Sequence, residues 1–151
     1  MGIRRVKIIS HRGNLDGPNP ITENSPSYIE TALNEGFDVE VDVRVFNGKL
    51  YLGHDMPDHQ VNENFFTDKM WIHCKNFQAV EYFKKTKLNW FWHEEDDLTM
   101  TSKGFIWCYP GKYISSGITV LCGKPTHIDK KIMGICTDYP IQWKEKEKNE
   151  F

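Results

Sequence analysis

Near its start the chain runs VKIIS (6–10) and then His11-Arg12-Gly13-Asn14. Val6, Ile8 and Ile9 belong in a core, and a histidine and an arginine directly after them need polar partners. A second oddity is Glu40-Val41-Asp42 inside the strand-like run DVEVDVRVF (38–46). Side chains two apart on a strand share a face, so two carboxylates would stand side by side. Unpaired, they repel each other and resist desolvation. A divalent cation resolves that conflict, and oxygen ligands suit Mg²⁺ or Ca²⁺. An exposed edge strand with its acidic face in water would also resolve it, and for an isolated pair that is the simpler solution. This pair is not isolated. His54-Asp55 closes the next strand-like run, and His73 and Lys75 share a face on MWIHCK (70–75). Phosphodiester cleavage uses such parts: a metal and cations for the phosphoryl oxygens, a base for the nucleophile and an acid for the leaving alkoxide.

The elements that must position these residues are short and rich in Val, Ile and aromatics. Beyond the three runs just quoted, KLYLGH (49–54), NWFWHE (89–94), GFIWCYP (104–110), ITVLCG (118–123) and MGICTDYP (133–140) have strand character. Asn24-Ser25-Pro26 supplies a cap and a first-turn proline for a helix that ends at Gly36. A second helix is predicted over Phe77–Lys87, with lysines late, where the helix dipole favours them. Strand, helix, strand predicts parallel βαβ units. Asn47-Gly48 is a type I′ hairpin signal that folds KLYLGH back on DVEVDVRVF. The tail WKEKEKNEF reads as a solvated helix end or frayed terminus. With no internal repeat and no linker, one domain over 1–151 is the simplest division.

Composition narrows the function classes. A hydrophobic content of 39% and a charged content of 26% are those of a soluble globular protein. A net charge of -2 provides no global field for nucleic acid or an anionic membrane. No apolar run approaches the ~20 residues of a membrane span, and the N-terminal apolar stretch is too short for a signal peptide. Cys74, Cys108, Cys122 and Cys136 contain no C-x-x-C pair, which argues against structural zinc and for buried free thiols in a reducing cytoplasm.

Four stretches together carry a family resemblance: HRG (11–13), ENS (23–25), GFDVEVDV (36–43) and NGKLYLGHD (47–55). They resemble the N-terminal signature of glycerophosphodiester phosphodiesterases, and Gly134 to Pro140 is similar to that family's closing Gly-x-x-Thr-Asp-x-Pro. The resemblance implies a TIM barrel with His11 and His54 as the acid–base pair and Arg12 on the phosphate. It implies a metal on Glu40 and Asp42, with Glu23 and Asn24 shaping the loop beneath the first histidine. Two departures matter. Where the family has Glu-x-Lys, this chain has His73-Cys74-Lys75: Lys75 matches as a phosphate contact, and His73 either replaces the missing carboxylate as a ligand or leaves the site one ligand short. A TIM barrel also takes ~250 residues. The expected fold is therefore α/β, a compact TIM-type barrel that keeps seven strand runs, with LTMT (98–101) as an eighth, and lacks several helices in its second half. Trp90, Phe91, Trp92, Phe105, Trp107 and Tyr109, or a second copy of the chain, would cover the exposed strands.

Weaker candidates are His93 and Glu94 at the pocket, with Glu95 to Asp97 as a turn, Trp107 and Tyr109 at the barrel mouth, and Lys112 near an anionic substrate. His59 and His127 read as surface residues, and Asp138 as structural. The expected function is metal-dependent hydrolysis of a small-molecule, glycerophosphodiester-like phosphodiester. Mg²⁺ or Ca²⁺ would be the cofactor, with Mn²⁺ favoured if His73 is a ligand. The rival is a non-catalytic phosphate-binding module derived from the same barrel.

Overall fold

A computed structural model describes residues 6–127 and 131–150 of the chain. β1 (Lys7–His11) leads through a loop to α1 (Pro26–Asn34), then β2 (Asp38–Phe46), β3 (Lys49–Leu52) and β4 (His59–Val61). β5 (Met70–Cys74), α2 (Phe77–Phe83) and β6 (Trp90–Trp92) follow. β7 (Leu98–Met100), β8 (Ile106–Cys108), β9 (Ile118–Val120), β10 (Gly134–Thr137) and α3 (Pro140–Glu150) complete the fold.

The strands form one mixed sheet ordered β4-β3-β2-β1-β10-β9-β8-β7, with β5 on the other edge of β2 and β6 beyond it. β1, β2, β5, β6, β8, β9 and β10 run parallel, while β2–β3, β3–β4 and β7–β8 are antiparallel. Asn47 and Gly48 both hold positive φ, which a type I′ turn requires, and the predicted hairpin forms.

The expected TIM-type barrel is not what the chain builds. Such a barrel alternates helix and strand throughout. Here three short helices accompany ten strands among the described residues, and the sheet is a curled, mixed half-barrel. The stretch expected as an eighth barrel strand runs antiparallel to β8 instead. The reason lies in the connections. Residues 93–97, 101–105 and 109–117 are bends and turns without a helix; the link 101–105 reverses the chain between β7 and β8, and 109–117 loops over to the parallel β9.

Alternation sorts each parallel strand onto two faces. Val39, Val41 and Val43 join Ile72, Ile29, Ala32, Ala79 and Phe83 in a core beneath α1 and α2. The opposite, inward face carries Ile9, Trp71, Phe91, Trp107, Ile118 and Cys136. β6 and β8 are not hydrogen-bonded partners, yet Phe91 stacks on Trp107 at 4.6 Å and Trp71 lies 5.8 Å from Trp107. Only a curled sheet brings these rings together. Trp71, Phe91, Phe105 and Trp107 thus fill the inside of the curl, whereas Trp90 packs against the helix-covered core and Tyr109 is exposed.

Two helices differ from expectation. α2 ends at Phe83, short of Lys87, because the Thr86 hydroxyl donates to the Phe83 carbonyl at 2.7 Å. The tail is a packed helix. Trp143 is 1% exposed and sits with Val6, Ile132 and Ile135. Among the described residues, no helix is long and apolar enough to cross a membrane. Trp143→Ala is expected to lower unfolding free energy by ~3–5 kcal/mol, as aromatic-to-alanine core changes do. Equilibrium denaturation checks this, and an unchanged midpoint would mean that α3 is not anchored through Trp143.

Candidate metal centre and cleft

The inward face changes character towards the C-terminal ends of the parallel strands. Two residues beyond the apolar floor come His11 after Ile9, His73 after Trp71, His93 after Phe91, Tyr109 after Trp107 and Asp138 after Cys136. They line or border a cleft of about 610 Å³, together with Arg12, Glu40, Arg44, His54, Lys75, Glu94 and Glu95. The site residues expected from sequence are thereby brought together, except that Asp42 lies behind the cleft wall, fully buried.

Asp42 is held from four directions. Arg12 Nε lies 3.0 Å from Oδ2, an ion pair without an aligned hydrogen bond. Asn24 Nδ2 donates to Oδ2 at 2.9 Å, while Asn24 Oδ1 accepts the Asp42 backbone N–H at 3.0 Å. His73 Nδ1 lies 3.4 Å from Oδ1, and the Gly53 N–H donates to the Asp42 carbonyl at 3.0 Å. Arg12 and Asn24 reach these positions with φ of 60° and 65°, a conformation rare for residues other than glycine. Arg12 also meets Glu23 at 3.3 Å. Much of its fork is therefore engaged inside the protein, where a phosphate contact was expected, although Arg12 still lines the cleft.

Glu40 is 3% exposed, with Oε2 3.5 Å from His73 Nδ1 and Oε1 4.0 Å from His11 Nε2. Glu40, Asp42 and His73 can each offer one ligand atom within a single cluster. His73 Nε2–H donates to the His93 carbonyl at 2.8 Å, so Nδ1 is the atom aimed at the carboxylates. Metal-bound histidines are commonly oriented this way, through a hydrogen bond from the far ring nitrogen. Glu40 Oε1 and Asp42 Oδ1 are buried without a hydrogen-bond partner. Two orphaned carboxylate oxygens beside an oriented imidazole fit a divalent cation.

Without the cation, His73 supplies the positive charge itself. Burial opposes its protonation, but the adjacent carboxylates of Asp42 and Glu40 outweigh it and raise its pKa to about 9. Burial likewise pushes the Asp42 carboxyl up, and His73 and Arg12 reverse this, holding it well below the usual carboxylate range. A neighbouring carboxylate alone would have raised it.

Both candidate acid–base histidines carry a carboxylate on Nδ1. His11 Nδ1 lies 2.7 Å from Asp138 Oδ1, and His54 Nδ1 lies 2.8 Å from Asp55 Oδ1. Desolvation opposes charge on His11, yet Asp138, Cys122 and Glu40 raise its pKa well above the ordinary value. Asn14 Nδ2 donates to Asp138 at 2.9 Å, and the Tyr28 hydroxyl donates to Asn14 Oδ1 at 2.9 Å. Asp138 is therefore a positioning residue for His11, beyond the structural part expected of it. Arg44 was also missed: its guanidinium donates to the Gly53 and His54 carbonyls at 3.3 and 2.6 Å and holds the His54 loop. Its signal was present, since it continues the alternation Glu40, Asp42, Arg44.

The remaining candidates divide. His93, Glu94, Glu95, Trp107 and Tyr109 line the cleft, with His93 Nε2 on the Asp96 carbonyl. Lys112 pairs with Asp97 at 3.5 Å outside the cleft lining. His59 is half-buried in β4, and His127 is exposed.

No protein-family model, curated protein or solved structure matches the chain. Its function rests on the site.

His73 yields a pH prediction. A folded pKa raised from 6.5 to about 9 gives stability that is full below 6.5 and lost as pH rises through about 9. His11 contributes with the same sign. In chelator, the melting temperature should fall across this window, and His73→Asn should shrink that fall. A flat wild-type profile would contradict the charge assignment.

Proposed function

We propose that the protein is a metal-dependent phosphodiester hydrolase acting on a small, glycerophosphodiester-like substrate. One observation carries this reading: two histidines, each with Nδ1 on a carboxylate, line the same cleft as Arg12, Lys75, Glu40 and His73, with Asp42 buried directly behind the last two. Binding a phosphate needs cations. It does not need two oriented proton carriers.

A cation bound by Glu40, Asp42 and His73 would supply Lewis-acid stabilisation of the phosphoryl oxygens. The Asp138 and Asp55 contacts orient each imidazole, and Asp138 also favours the protonated form of His11. One of His11 and His54 takes the proton of the attacking water or substrate hydroxyl, and the other protonates the leaving oxygen. Lys75 and Arg12 offset charge developing on the phosphoryl group. An imidazole ligand in place of a third carboxylate shifts preference from Ca²⁺ towards Mn²⁺ or another transition metal. The four unpaired cysteines support a reducing, cytoplasmic setting.

The phosphate-binding module is the second reading. It is favoured by Arg12, whose Nε and Nη1 are spent on Asp42 and Glu23, and by His73 acting as a built-in counter-ion. A panel of phosphodiesters assayed with and without Mg²⁺, Ca²⁺ and Mn²⁺ separates the two. The hydrolase should turn over at least one diester only with metal. His54→Ala should cost ~10²–10⁴ in rate, with an unchanged melting temperature because the side chain is 41% exposed. Binding without turnover on every diester would establish the module. His73→Glu should move the metal preference towards Mg²⁺ and Ca²⁺, read by calorimetry, and an unchanged ranking would remove His73 from the ligand set.

A further inference from the structure

We propose that His11, Cys122 and Asp138 form a second metal site, selective for thiophilic ions such as Zn²⁺ and Cd²⁺, whose occupancy takes His11 out of proton transfer. β10 lies between β1 and β9 in the sheet, and each of the three strands delivers one ligand at its C-terminal end: His11 closes β1, and Cys122 and Asp138 follow β9 and β10. His11 follows Ile9, Cys122 follows Val120 and Asp138 follows Cys136, each at a spacing of two, so alternation turns all three inward.

The distances suit a tetrahedral ion. His11 Nδ1 lies 2.7 Å from Asp138 Oδ1 and 3.9 Å from Cys122 Sγ, and the three ligand atoms lie within 4.8 Å of one another. Zinc bond lengths of about 2.0–2.3 Å set neighbouring ligand atoms roughly 3.3–3.7 Å apart. The observed separations straddle that range, so an ion would part His11 Nδ1 from Asp138 Oδ1 and draw Cys122 Sγ closer. Asn14 orients Asp138 from behind, as partners outside a metal's own ligands do.

Ligand chemistry separates this site from the Glu40–Asp42–His73 centre. A thiolate selects zinc and cadmium, whereas the first centre has only carboxylates and one imidazole. Cys122 is also the accessible thiol. The other three cysteines are buried, and burial pushes the Cys74 thiol up to about 12.

Binding expels the Cys122 thiol proton and the His11 Nδ1 proton to solvent. The neutral ring then keeps its one proton on Nε2, the atom 4.0 Å from Glu40, and cannot accept another. This inhibitory consequence rests on the proposed hydrolase function, whereas the metal site does not.

Titration of the full chain with Cd²⁺ alone, followed by thiolate-to-metal charge-transfer absorption, tests the site. Wild type should saturate at one equivalent, and Zn²⁺ should displace the signal. Cys122→Ser and, separately, Asp138→Asn should lose the one-equivalent band, while Glu40→Gln keeps it. Melting curves confirm that each variant is folded. No band in wild type, or an unchanged band in folded Cys122→Ser, overturns the site. Where a diester is turned over, Zn²⁺ should inhibit wild type and spare Cys122→Ser, and equal inhibition overturns the regulatory claim. A Cd²⁺ band lost in Cys122→Ser, without turnover of any diester, upholds the site and refutes the hydrolase.

Discussion

Asp42 is a carboxylate with no solvent exposure, next to a second carboxylate that is almost as buried. Even after relaxation, burying such an ion costs several kcal/mol unless charge and hydrogen bonds compensate. Much of the chain around the cleft provides that compensation. Arg12 and Asn24 adopt left-handed backbone to reach Asp42, and Gly13 lies between Arg12 and the helix approach with φ of 92°. A Cβ on Gly13 would stand 2.8 Å from the Tyr28 ring. The Asn24 N–H donates to the Arg12 carbonyl and the Arg12 N–H to the Glu40 carbonyl, which ties both turns to β2. HRGN and ENS are thus two halves of one clamp on a buried anion. Such a clamp resists collapse of the carboxylates into solvent and keeps Glu40 Oε2 and Asp42 Oδ1 aimed at His73 Nδ1.

The second organising feature is layered. An aromatic floor of Trp71, Phe91 and Trp107 lies one alternation below the polar rim. His73 stacks on Phe91 at 4.7 Å while it reaches for Glu40 and Asp42. The rings fix the imidazole plane and lower the local dielectric, which strengthens the charges above them. A preorganised, partly dry polar layer is what both metal binding and phosphoryl chemistry require.

Much of this was legible in the chain itself. The strands were visible because Val, Ile and aromatics recur in short runs, and the Asn47-Gly48 hairpin because its turn demands two positive φ values. The convergence of His11, His54, His73 and Lys75 followed from their places at strand ends, and Glu40 joins them from within β2, in register with His11. Strand direction was not legible: Leu98–Met100 looks like any strand, and only its short links make it antiparallel to β8. β4 carries no apolar alternation, since it reads His59-Gln60-Val61. The docking of the charged tail hangs on the single ring of Trp143. Asp138 was undervalued because its partner His11 lies 127 positions away. Cys122 was hidden for a similar reason, since spacing within one strand does not reveal a ligand set drawn from three.

The central claim is that Glu40, Asp42 and His73 are a cation seat whose charge His73 balances in the ion's absence. Crystals grown with Mn²⁺ and measured for anomalous scattering test it most directly. A single anomalous peak is predicted at coordination distance from carboxylate oxygens of Glu40 and Asp42 and from His73 Nδ1, with His73 Nε2 still on the His93 carbonyl. A map with no peak there, and His73 Nδ1 still against both carboxylates at saturating Mn²⁺, would make the cluster a permanent internal salt bridge and contradict the account.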